Sequence, residues 1–129
     1  MRRLDWALRR EPEFENVDPK TSIAILPTAA IEQHGPHLPT GTDTLIMDGM
    51  LNAFRKQCPE ELDPWTLPIQ TVGKSNEHLW AQGTLTSTAR TALAAWTEIG
   101  SSVARAGFTK IIIINRPGGN LYFISILSL

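Results

Sequence analysis

Cys58 is the only cysteine among 129 residues. One thiol excludes an internal disulfide and fits a reducing compartment. In "KQCPEEL" it has no CxxC neighbour, so it reads as a structural thiol. Long apolar runs are missing too, and no stretch approaches the ~20 residues of a membrane-spanning helix. The opening "MRRLDWALRREPEF" has no apolar core behind its arginines, so no secretory leader is read and a cytoplasmic protein is expected. Nor does either charge dominate. Twelve Lys and Arg against 13 Asp and Glu leave a net charge of −1, which offers no field for nucleic acid or an anionic membrane. The basic residues Arg2, Arg3, Arg9 and Arg10 are offset by Asp5, Glu11, Glu13 and Glu15, as in a solvated N-terminal helix or arm. There is no repeat and no low-complexity linker. A content of 42% hydrophobic and 19% charged residues fits a single domain with a modest core.

Three apolar runs read as strands: "SIAILP" (22–27), "WTLPIQTV" (65–72) and "KIIIIN" (110–115). Four successive isoleucines suit a central strand covered on both faces, as in a parallel sheet. Pro68 makes the middle run an edge or irregular strand, because it has no N–H to give to a ladder. Between the runs lie two amphipathic segments. One follows Asp43 as N-cap and carries Ile46, Met47, Met50, Leu51 and Phe54 before Pro59. The other, from about Ser87 to Ala106, sets Ala89, Ala92, Leu93, Trp96, Ile99 and Val103 on one stripe and ends at Gly107. The order β-α-β-α-β predicts an α/β fold with a mostly parallel sheet flanked by helices. Ligands of such sheets sit beyond the carboxyl ends of the strands. Both polar clusters of the chain fall there: "EQHGPHLPTGTD" after the first strand and "NRPGGN" after the third.

The segment "IEQHGPHLPTGTD" (31–43) gathers two histidines, a glutamate and an aspartate on a turn-rich loop. Glu32 and His34 are two apart, so on an extended segment their side chains point the same way. Asp43 can fold back toward them. Two carboxylates and an imidazole are a ligand set for zinc, manganese or non-haem iron, and a shared carboxylate suits a two-metal clamp that activates water. A plain reading fits the same residues: Asp43 as a helix N-cap, His34 and His37 as loop residues, Glu32 as a surface charge.

"LPTAAIEQHGPHLPTGTD" closely resembles the opening metal motif of the creatininase (creatinine amidohydrolase) family. "GKSNEH", "GTL", "AGFTKIIIIN" and "GGN" follow in the family's order, so that the resemblance runs from Thr21 to Asn120. It implies a creatininase-like fold and a hydrolase of C–N bonds that uses two divalent metals. Members include creatininase itself, a formamide deformylase of flavin-type cofactor biosynthesis and a peptidase maturing a peptide-derived redox cofactor. Carried over by position, Glu32 binds one metal, His34 the other, and Asp43 bridges them. Ser75 contacts substrate, and His78 supports the site from behind the ligands rather than ligating. His37 is expected to brace the loop by hydrogen bonding. The implied partners are a small amide, lactam or formamide substrate and further copies of the chain or a longer homologue.

One motif departs from the pattern. Where the family carries a metal-ligating histidine after the third strand, this chain reads "NRPGGN", with Arg116 and Pro117 in place of Gly and His. Proline has no lone pair for a metal, and arginine stays cationic. The tail "LYFISILSL" is apolar and uncharged, a liability to aggregation unless paired. These features are expected of a truncated member with doubtful activity; one explanation is a frame slip past residue 115 and another a genuine short homologue with altered function, and the encoding DNA decides between them. A second expectation is an inactive remnant, and a third is a structural or regulatory subunit beside a full-length homologue.

Overall fold

A computed structural model of the chain describes residues 4–115 and 124–128. Arg116 and Pro117 lie outside them. The sheet has four strands in the order β2-β1-β3-β4, where β1 is Ser22–Thr28, β2 Asp63–Thr66, β3 Lys110–Asn115 and β4 Ile124–Ser128. β2, β1 and β3 are parallel, with Ala24 opposite both Trp65 and Ile111. β4 runs antiparallel on the outer edge of β3, Ile112 facing Ile126. The expected mostly parallel sheet is present, and the isoleucine strand is internal. Residues 124–128 of the apolar tail are paired as its edge strand, which is how an otherwise parallel sheet commonly closes one side.

β2 is shorter and begins earlier than its apolar run. Leu67 N–H still reaches Ile25 O at 2.8 Å, but Pro68 then interrupts the ladder. The chain returns at Gln70, whose N–H donates to Pro27 O and whose carbonyl accepts from Ala29 N–H, both at 2.9 Å.

Helix α1, Thr42–Gln57, buries Met47 and Leu51 against Ala29. Its N-cap is Gly41, which corrects the assignment of Asp43 to that role. Asp43 lies inside the first turn, buried. Helix α2, Ala89–Arg105, covers the other face with Trp96, Ile99 and Val103, whereas Leu93 stays 63% exposed. Thr88 caps α2, its Oγ1 accepting from Thr91 N–H at 3.2 Å. Thr88→Ala should cost about 1 kcal/mol, measured as a lowered urea midpoint. Gly107, at φ 102°, ends the connection in the left-handed region as expected.

The N-terminal arm is not simply solvated. Its two 3-10 turns, Trp6–Leu8 and Glu11–Asn16, bring Trp6 and Phe14 onto Trp65 and Phe108. Arg9 lies 4.0 Å over the Trp65 ring. No helix of the described residues is long and apolar enough to cross a membrane.

Candidate metal centre

Both polar clusters start from one end of the sheet. Thr28 and Asn115, the last residues of β1 and β3, are register partners, and Thr28 Oγ1 donates to Asn115 Oδ1 at 2.9 Å. Beyond Thr28 the loop is held by its backbone. Leu85 N–H donates to Ile31 O at 2.9 Å, and Glu32 N–H to Thr40 O at 3.0 Å. Thr44 Oγ1 donates to Ala30 O at 3.4 Å, which ties the start of α1 to the root of the loop. Gly35 turns the chain at φ +78°, a conformation that a side chain would strain.

These ties gather Glu32, His34 and Asp43 so that their ligand atoms all lie within 4.8 Å of one another. Glu32 and Asp43 are each 3% exposed. His34 Nδ1 is 2.9 Å from Glu32 O. A carbonyl only accepts, so Nδ1 carries a proton, and in the neutral imidazole Nε2 presents a lone pair. That lone pair faces Asp43 Oδ2 at 3.4 Å, and Oδ2, fully buried, has no hydrogen-bond partner among the described residues. With the imidazole neutral these are two acceptors close together, which repel unless a positive charge, a proton on Nε2 or a cation, lies between them.

A divalent cation resolves this conflict. Two donors about 2.1 Å from a tetrahedral ion stand about 3.4 Å apart, and a ligating histidine typically gives its other N–H to a carbonyl or carboxylate. The residues fit a metal ion, with a donor set suited to zinc, manganese or iron(II).

The other expected residues are placed differently. His78 sits on the 3-10 turn Asn76–His78, its Nε2 3.8 Å from Glu32 Oε2. Glu32, Glu77 and His78 form a second cluster with ligand atoms within 4.8 Å. Its third member is engaged elsewhere: Glu77 is 54% exposed and lies 3.2 Å from Lys74 Nζ. Its own backbone N–H, helped by Lys74, holds that carboxyl below the usual glutamate range. Ser75 is fully buried, its carbonyl accepting from His78 N–H at 3.0 Å and its Oγ unpartnered among the described residues. His37 is exposed and makes no hydrogen bond to a described residue, so it does not brace the loop. Gln33 does so instead, accepting from Gly35 N–H at 3.0 Å. Its neighbours Glu32 and His34 hid it. On an extended segment the residue between two ligands points the other way, and that was the available signal.

A sequence model of one family, creatininase (creatinine amidohydrolase), matches residues 7–128. The chain belongs to the creatininase family. Among its relatives is the mycofactocin precursor peptide peptidase of Mycolicibacterium smegmatis, 31% identical over 101 residues, which are 77% of this chain and 40% of the peptidase. The Mycobacterium tuberculosis peptidase of the same description is 31% identical over 110 residues, 80% of this chain and 43% of its own. This creatininase-family chain therefore spans about two fifths of the length of the curated relatives it matches. A creatininase mutant of "Zn-Zn type" superposes with TM-score 0.77 at 19% identity, over 93% of this chain and 47% of the mutant. A putative creatinine amidohydrolase from Bacteroides fragilis gives 0.71 at 24% identity, over 92% and 47%. Both have the creatininase fold seen here.

Proposed function

We propose that this chain carries the opening half of the metal site of a metal-dependent amidohydrolase, acting on a peptide-type amide. The observation behind the reading is the buried, unpartnered Asp43 Oδ2 facing the His34 lone pair. The peptide class rests on the mycofactocin precursor peptide peptidases among the relatives. Glu32, His34 and Asp43 are taken as the ligands, with Asp43 as the shared one on the strength of the family resemblance alone. A divalent metal held there supplies Lewis acidity toward the scissile carbonyl and makes water more acidic. The protein's part is to hold the donors rigidly and to bury their charge. Glu32 is fixed through its own N–H, His34 through the Glu32 carbonyl, and Asp43 by the first turn of α1. His78 stands behind Glu32 as its support. Ser75 is assigned the substrate contact by the family resemblance; its Oγ is one of four buried side-chain polar atoms without a partner among the described residues.

The test is metal content and amide cleavage measured on one preparation. Zinc or manganese bound at one equivalent or more per chain, with hydrolysis of a short peptide amide that a chelator abolishes, is the expected result. Metal-free protein after loading with either ion rejects the reading. A second reading is favoured by "NRPGGN", which puts no histidine at the family's later ligand position. Here the donor set is completed by a second chain, either another copy or a longer homologue. Metal bound per complex but not per isolated chain, with a matching change in size on a gel-filtration column, distinguishes it.

A further inference from the structure

Two carboxylate–histidine clusters meet at Glu32, yet only one has its histidine ready to ligate. We infer that Gln33 is the positioning residue responsible: it fixes the proton of His78 on Nε2 and so leaves the Glu32–His34–Asp43 cluster as the one open to a cation. The metal half of this inference rests on the function proposed above; the tautomer half does not.

The argument begins at Gly35. Its backbone N–H, which can only donate, points at one terminal atom of the Gln33 amide at 3.0 Å. That atom is therefore the oxygen, and the amide nitrogen lies on the other side. The nitrogen is 3.4 Å from His78 Nδ1. An amide N–H facing a ring nitrogen requires a lone pair there, so Nδ1 accepts and the ring proton of neutral His78 is on Nε2. Nε2 is the atom 3.8 Å from Glu32 Oε2. That is too long for a hydrogen bond, but the N–H still presents its positive end to the carboxylate. His34 has the reverse arrangement, with Nδ1 protonated against the Glu32 carbonyl and Nε2 bare. In their neutral forms the two imidazoles thus carry opposite tautomers. Each is set by a neighbour that cannot change its own polarity, one a carbonyl and the other an amide oriented by a backbone N–H.

Gln33→Glu is nearly isosteric and reverses the instruction. One carboxylate oxygen still accepts from Gly35, while the other now accepts where the amide donated. Histidine side-chain nitrogens can be followed by long-range proton–nitrogen NMR on metal-free protein at alkaline pH, where free imidazole is neutral. Wild type should show His34 protonated on Nδ1 and His78 on Nε2. An unconstrained imidazole also favours the Nε2 form, so the discriminating result is inversion of the major His78 tautomer in Gln33→Glu with His34 unchanged. On addition of zinc, wild type should shift the His34 signals and leave the His78 ring nitrogens unligated, whereas Gln33→Glu should bring His78 into ligation. A His78 protonated on Nδ1 in wild type, or an unchanged His78 in Gln33→Glu, overturns the role of Gln33. A wild type that takes up no zinc overturns the proposed cation site instead, while the tautomer inversion still decides what Gln33 does.

Discussion

Asp43→Asn is expected to weaken metal binding and to stabilise the metal-free fold, two effects of opposite sign from one atom. The Oδ2 it replaces is buried, unpartnered among the described residues and 3.4 Å from a ring nitrogen that presents a lone pair. An amide N–H in the same place donates to that lone pair. Relief of a buried unsatisfied group is worth about 1–3 kcal/mol. Against it stands the loss of a negative charge in the first turn of α1, worth about 0.3–1 kcal/mol. The first effect wins, and the urea midpoint measured in chelator should rise. Metal affinity should fall by more than the ~10–100-fold that follows loss of a group behind the ligands, because an anionic ligand itself is gone. Calorimetric titration with zinc or manganese reads that loss. A variant that is less stable and binds metal as before would make Asp43 a helix-start carboxylate and nothing more.

Trp65→Ala is expected to give the largest loss of stability of any single side chain here, about 3–5 kcal/mol, a large fraction of the about 5–15 kcal/mol that holds a domain folded. Trp65 is 2% exposed on the edge strand β2. Its ring meets Phe108 at 5.4 Å, Phe14 at 5.1 Å and Trp6 at 6.1 Å between centroids. Its Nε1–H donates to Asp63 Oδ1 at 3.0 Å. The residue therefore joins the N-terminal arm, the sheet and the end of α2 in one cluster. Its removal opens a cavity that none of the three can fill alone. Thermal unfolding should show a much lower midpoint, and Arg9, which covers the ring, should become accessible. Trp65→Phe, which keeps most of the contacts, should recover most of the loss. If Trp65→Ala unfolds like wild type, the aromatic cluster does not hold the arm.

Much of the fold was legible because its signals are local. Alternating helical stripes, the isoleucine run, Gly107 and the prolines each report on the few residues around them, and the expected elements stand close to where those signals put them. The strand expected at 65–72 is displaced to Asp63–Thr66 because Pro68 breaks the ladder partway, and periodicity does not say on which side the pairing survives. The N-terminal arm was misjudged as solvated. Its charges are evident in the sequence, but its Trp6 and Phe14 find their partners, Trp65 and Phe108, only in three dimensions. The expected stripe of α2 is likewise not buried along its whole length, for Leu93 on it is 63% exposed.

For the candidate site the division is similar. Residue types and order by themselves named Glu32, His34 and Asp43 as candidates, since metal donors are few and their loop is compact, and the family resemblance favoured the metal reading over a plain loop. What the tertiary structure alone decided is the state of each donor. A tautomer depends on which nitrogen meets a carbonyl and which meets an N–H, and those neighbours, Gln33 beside His78 among them, come together across 45 residues of chain. Asp43 changed from a helix cap to a buried, unpartnered carboxylate for the same reason: sequence names the group, but only the fold fixes what faces it.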